Sequence, residues 1–169
     1  MFAALLMGFV GTAAAGEFGN VFGNEETQKA SRDASATALA AVEKAVSGLR
    51  ARELQDGSGV EQFMAASRLF AEAADKMEAV LKTFPNQELS EPQIVFLKAQ
   101  FSPDSQTLAQ LQGARSLQDV YRNFAAKTRE MSGTMEGLAT KENAFSVLSP
   151  LLVEYFQLAD AIVAVRAVK

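Results

Sequence analysis

Two carboxylate pairs are the residues of this chain best placed for acid–base chemistry: Glu72 with Asp75, three residues apart, and the adjacent Glu25 and Glu26. Such a pair catalyses only when the groups face each other across a cleft that drives their pKa values apart. Here the first pair falls on the polar side of a helical stretch and the second at a helix start, so both read as solvated charges. Metal, haem and thiol chemistry needs ligands that the chain does not have. It contains no histidine, cysteine or tryptophan, which excludes Glu-x-x-His di-iron sites, imidazole or thiolate zinc sites, Cys-x-x-Cys-His haem attachment and thiol nucleophiles together. Met64, Met77, Met131 and Met135 recur at core spacing and read as filler for a helical interior. No Ser-x-x-Lys pair occurs and the glycines form no phosphate loop. The expectation is a protein that is not an enzyme, with no catalytic residue, no cofactor and no metal.

Contacts are the remaining use for its charges. Sixteen Lys plus Arg against twenty Asp plus Glu leave a net charge of −4, without the cation cluster that neutralising phosphates requires, so nucleic acid is not an expected partner. Arg115, Arg122, Lys127 and Arg129 concentrate positive charge on one helical stretch, and Arg122 and Arg129, seven residues apart, share a face. That face is either a solvated one balanced by Asp119 and Glu130, or a docking strip for an acidic surface. Arg50, Arg52, Glu53 and Arg68 form a weaker second patch. Phe18 and Phe22 sit in the irregular arm of residues 16–24, Gly-Glu-Phe-Gly-Asn-Val-Phe-Gly-Asn, and either staple onto the fold or dock on a larger partner.

The elements that must carry these residues are almost all helical. Residues 1–15, uncharged and ending Ala13-Ala14-Ala15, predict an export signal cleaved after Ala15; with no positive stretch ahead of them they read as the end of a two-part targeting sequence or as an atypical signal. Left uncleaved, they would be a short apolar segment below the ~20 residues of a membrane-spanning helix. Asn24 is a good helix cap, and Ala34, Ala38, Ala41, Val42, Ala45, Val46 and Leu49 make one buried stripe from about Glu25 to Leu54. Gln55-Asp-Gly-Ser-Gly59 should end that helix through a left-handed glycine, with Ser58 starting the next, which runs to about Thr83 on Phe63, Leu69, Phe70, Ala73, Met77, Val80 and Leu81. Phe84-Pro85-Asn86 closes it. Pro92 and Pro103 bound one short helix, and a third long helix begins near Asp104 or at Ser116 and runs to Gly137 or Leu138. Thr140 to Asn143 is a turn. The last helix runs to about Val168, with Pro150 either kinking it or marking a first turn at Ser149. This predicts an all-α fold over residues 25–169: an up-down-up-down four-helix bundle with a short extra helix and an irregular N-terminal arm.

The closing stretch, Ser116-Leu-Gln-Asp-Val-Tyr-Arg-Asn-Phe124 through Met135-Glu-Gly-Leu-Ala-Thr-Lys-Glu-Asn143 to Tyr155-Phe-Gln-Leu-Ala-Asp-Ala-Ile162, is similar to the final hairpin of the PsbQ-like extrinsic subunits of oxygenic photosystems. The Ala-rich leader, irregular arm and cysteine-free bundle resemble that family's layout. The cyanobacterial members' lipid-attachment cysteine is absent, which points to the eukaryotic algal type. The resemblance implies a non-catalytic subunit in the thylakoid lumen, peripheral to the membrane and bound to photosystem core or antenna subunits, supporting stability or oxygen evolution without holding manganese. The alternative is an exported bacterial periplasmic bundle that binds a partner or serves as a sensor domain.

Overall fold

The computed structural model describes residues 24–84, 86–165 and 168. The leader, the arm with Phe18 and Phe22, Pro85 and Arg166 lie outside the described residues. Six helices follow in order: α1 (Glu25–Glu53), α2 (Gly59–Leu81), α3 (Glu91–Ala99), α4 (Gln106–Leu111), α5 (Leu117–Leu138) and α6 (Ala144–Ala164). Among the described residues there is no strand, and the four long helices fit a four-helix bundle.

Local chemistry sets the ends of each helix. Asn24 Oδ1 accepts the Thr27 amide at 2.7 Å, while Glu25 and Glu26 in the first turn and Arg50 and Arg52 in the last complement the α1 dipole. The α1–α2 turn departs from the expected chemistry. The left-handed residue is Gln55, at φ 55°, and no glycine takes that role. The Asp56 amide reaches back to the Ala51 carbonyl at 2.7 Å, and this closing bond demands the reversal one residue after Leu54, before Gly57 arrives. Ser58 makes no side-chain cap; the Asp56 carboxylate accepts its amide instead, at 3.1 Å.

Two short helices, not one, connect α2 to α5. Ser90 and Gln93 form a capping box with Pro92 in the first turn of α3, and α3 stops at Gln100, before Pro103 is reached. Ser105 then caps α4, and Ser116 with Asp119 caps α5. Between them the chain is extended: Leu89 donates to the Arg115 carbonyl and Leu117 to that of Gln87, both at 2.8 Å, so a helix cannot run through from Asp104. Pro150 lies well inside α6, which starts at Ala144 and not at Ser149; having no amide hydrogen, it cannot serve the carbonyl of Ser146, an exposed residue one turn earlier.

The bundle is centred on α2, which packs on both α1 and α5, while α6 lies against α5 and touches α1. The face of α1 is alanine: Ala34, Ala38, Ala41 and Ala45 are buried, and Gly48 lets the Phe63 ring approach so closely that a Cβ there would stand 3.1 Å from it. Polar ties set the register. Thr27 donates to Thr83 at 2.8 Å, Ser31 and Tyr121 share a hydrogen bond at 3.3 Å, and so do Ser67 and Ser132. Lys76 binds Asp33 and Glu72 at 3.0 Å each and donates to Thr37 at 2.8 Å. Gln118 donates to the Leu81 and Phe84 carbonyls, and Gln93 to that of Val165 at 3.0 Å.

An aromatic row runs through the centre. Phe84 stacks on Tyr121 at 4.9 Å, Tyr121 meets Phe124 at 6.3 Å, and Phe124 lies 5.1 Å from Tyr155, whose ring takes the edge of Phe70 at 5.7 Å. Met77, Met131 and Met135 are fully buried around it, as core filler should be. Tyr155 shares a 3.0 Å hydrogen bond with Thr128, whose hydroxyl also reaches the Phe124 carbonyl at 2.8 Å and Met77 Sδ at 3.4 Å. Burial pushes the Tyr155 phenol far above its ordinary pKa, the bond to Thr128 opposing this only in part, so the hydroxyl stays neutral. Thr128→Val strands that phenol and should cost about 2 kcal/mol, whereas Tyr155→Phe leaves Thr128 on the Phe124 carbonyl and should cost about 1 kcal/mol; denaturant unfolding of both variants checks the order.

Candidate functional site

Arg52 ties together the end of the bundle where α1 turns into α2 and α5 turns into α6. Its guanidinium lies 5.0 Å above the centre of the buried Phe63 ring, and it donates to the Ala139 carbonyl at 2.6 Å and to the Lys141 carbonyl. Those carbonyls lie just beyond α5, at the negative end of its dipole, where a cation is favoured. Gly59 makes room for the arm: a Cβ there would stand 2.8 Å from Arg52 Cγ and 3.3 Å from the Gly48 carbonyl oxygen.

Three large apolar side chains are exposed at the same end of the bundle. Leu54 is 72% exposed, Val60 51% and Phe145 61%, so three of the five large exposed apolar side chains among the described residues stand at one end of the bundle. Between the two turns lies an open cleft of about 500 Å³, lined by Arg52, Gln55, Thr140, Lys141 and Glu142. The left-handed Gln55 is part of that lining, a conformation that a non-glycine residue holds only where its surroundings impose it. The arrangement offers apolar anchors, a few hydrogen-bonding groups and a rigid base, which suits it to gripping a partner surface.

The predicted cationic strip is placed differently by each of its members. Arg129 donates to Asp75 at 2.5 Å, to Glu78 at 2.9 Å and to the Ala71 carbonyl at 3.3 Å, which makes it a cross-link from α5 to α2. Those carboxylates hold its pKa above the ordinary arginine value. Arg122 pairs within its own helix with Asp119 at 2.5 Å, beside a shallow depression of about 180 Å³. Arg115 folds its guanidinium onto the Ala114 carbonyl at 3.2 Å. Asp119 is the hub of this corner. It accepts the Arg115 and Ser116 amides and pairs with Arg122, and these bonds, led by the Arg115 amide, hold its carboxyl below the usual range. Lys127 is not on a solvated face at all. It is 1% exposed, flanked one turn either way by the buried Phe124 and Met131, and its ammonium meets the half-exposed Glu130 carboxylate at 3.1 Å.

Arg50, Glu53 and Arg68, the other members of the second patch, are exposed, and so are Glu25 and Glu26. The carboxylates first considered for acid–base work are engaged elsewhere: Glu72 on Lys76, Asp75 on Arg129. By spacing alone Phe145 belongs to the apolar stripe of the last helix, yet it is exposed, and Leu54 and Val60 read only as helix ends. For Leu54 and Val60 the signal is that both directly flank Gln55-Asp-Gly-Ser-Gly59, where a solvated turn calls for polar residues.

Replacing Arg52 by Met keeps the packing on Phe63 but loses both carbonyl bonds. It should lower stability by about 2 kcal/mol and speed tryptic cleavage at Lys141, as read by denaturant unfolding and limited proteolysis. Comparison with models of known protein families, with curated proteins and with solved structures gives no match to this chain.

Proposed function

We propose that this chain is a non-catalytic extrinsic subunit, an up-down-up-down four-helix bundle that docks end-on against a membrane protein complex. The observation that carries the reading is the exposure of Leu54, Val60 and Phe145 at the same end of the bundle as the cleft beside Arg52. Apolar side chains gathered in one place and rimmed by polar groups mark interaction surfaces, whereas scattered ones need no explanation. The cross-helix ties support the topology: Thr27 with Thr83 and Ser67 with Ser132 match antiparallel neighbours, and Thr128 with Tyr155 matches a hairpin. The cations Arg122 and Arg129 are engaged by carboxylates of the same chain, which favours the apolar end over a cationic strip as the docking surface.

The PsbQ-like layout and final hairpin give the proposal its specific form. The complex is a photosystem, the surface is its lumenal side, and the bundle supports stability or oxygen evolution there without holding pigment or metal.

Native purification from the source organism's membranes, followed by mass spectrometry of partners, tests this. Photosystem subunits are expected among the partners, and Leu54→Glu with Val60→Glu should reduce their recovery by roughly thirtyfold, since two apolar anchors would be replaced by charges, while circular dichroism is unchanged. Undiminished recovery would overturn end-on docking. A soluble pool free of photosystem subunits would overturn the photosystem form and favour the periplasmic bundle.

A further inference from the structure

We infer that Asp56 and Gly57 form a self-modification site, at which the aspartyl residue converts to isoaspartate through a cyclic imide. Asp-Gly occurs once in the chain and Asn-Gly not at all, and glycine leaves its own amide nitrogen uncrowded. Both residues are exposed, in the turn between α1 and α2. That turn does not need glycine for its shape: the left-handed residue is Gln55, the backbone at Gly57 is not left-handed, and a Cβ there would meet nothing within 4 Å. Ser58 donates its amide to the Asp56 carboxylate at 3.1 Å. A bond from a side chain to the amide two residues on folds the carboxyl across the peptide between them, here the one that carries the Gly57 nitrogen. Among the described residues nothing accepts the Gly57 amide, so that nitrogen is open to approach. Asp104, the other aspartate in a loop, has the opposite arrangement: the amide that follows it, of the buried Ser105, is held by the Ser102 carbonyl at 2.9 Å. The remaining aspartates lie within helices, where the next amide is bonded along the helix.

The step needs no partner and no oxidant. The Gly57 nitrogen attacks Cγ of the protonated Asp56 carboxyl; a bond forms between nitrogen and Cγ, the bond from Cγ to the hydroxyl breaks, and the hydroxyl leaves as water with the amide proton. Water then opens the imide. Addition at Cγ restores aspartate. Addition at the main-chain carbonyl carbon breaks its bond to nitrogen and leaves the chain running through Cβ and Cγ, with the carboxylate on Cα. The product has the mass of the starting chain and one more methylene in its backbone. Holding the two groups side by side is what makes such an intramolecular attack competitive. The turn has little slack for the added length. Asp56 donates its amide to the Ala51 carbonyl at 2.7 Å and accepts that of Gly59 at 3.4 Å, and Gly59 is packed so closely that a Cβ there would stand 2.8 Å from Arg52 Cγ. Isoaspartate therefore presses on Arg52 and loosens its bonds to the Ala139 and Lys141 carbonyls. Leu54 and Val60 flank the same turn, so the step also resets the end proposed for docking; that consequence rests on the docking reading, and the chemistry does not.

The test incubates the full chain in buffer at physiological temperature beside a synthetic peptide of residues 51–60. Isoaspartate is read by enzymatic carboxyl methylation and located by fragmentation mass spectrometry. The inference expects it at position 56 of the folded chain, at a rate no lower than in the peptide and roughly tenfold or more above that at Asp104. Gly57→Ala, for whose methyl group there is room, should lower conversion roughly tenfold by crowding the nitrogen, with circular dichroism unchanged. Asp56→Asn loses ammonia more readily than the carboxyl loses water and should convert faster, which gives a second reading if Gly57→Ala folds poorly. Trypsin should cut the converted fraction faster at Lys141. A folded chain that stays unconverted while the peptide reacts overturns the inference, and so does equal conversion at positions 56 and 104, undiminished conversion in Gly57→Ala or no gain in Asp56→Asn. Conversion without faster cleavage overturns the loosening of Arg52.

Discussion

A phenol sealed in an all-helical core is the constraint on which this bundle depends. Faces of alanine and leucine can slide past one another by a helical turn with little change in buried area, and a chain without cysteine has no disulfide to stop them. Tyr155 cannot slide, because a slip of α6 against α5 parts its hydroxyl from Thr128 and leaves the phenol dry and unpaired, while Thr128 keeps the Phe124 carbonyl. The bond that Ser31 shares with Tyr121 ties α1 to α5 in the same way across the bundle. The aromatic row that joins the two tyrosines turns two local bonds into one shared alignment.

Once that alignment holds, the ends of the molecule follow. At one end Gln118 and Gln93 cover the terminal carbonyls of α2 and α6, so side chains close it. At the other, Arg52 brings two turns together but leaves Leu54, Val60 and Phe145 outside. Charges reinforce the sides: Lys76 joins α2 to α1, and Arg129 joins α5 to α2. Polar chemistry thus holds the helices together, while Leu54, Val60 and Phe145 stay uncovered at the open end.

Much of this was legible in the residues. Alanine and leucine stripes at helical spacing marked the four long helices, and Asn24, Pro92 and Ser116 marked starts because each supplies a specific cap or a tolerated ring. The second short helix was not legible, since six residues carry too little periodicity to stand out. The reversal at Gln55 hid behind nearby glycines that looked better suited. Lys127 was misread because helical spacing alone put it beside other cations, whereas its burial depends on how α5 sits in the bundle. For the docking surface the limit is similar: the strip of arginines was visible, but the carboxylates that occupy Arg129 come from α2, more than fifty residues away in sequence. Phe145 comes to the same end of the bundle as Leu54 and Val60 only once α1, α2, α5 and α6 are assembled.

Hydrogen–deuterium exchange of the full chain, free and mixed with membranes from its source, tests the central claim most directly. Amides at residues 52–61 and 139–146 should exchange more slowly in the presence of the membranes, while those of the outer side of α1 stay unchanged. Protection confined to residues 115–129, or none at either turn, would contradict the account.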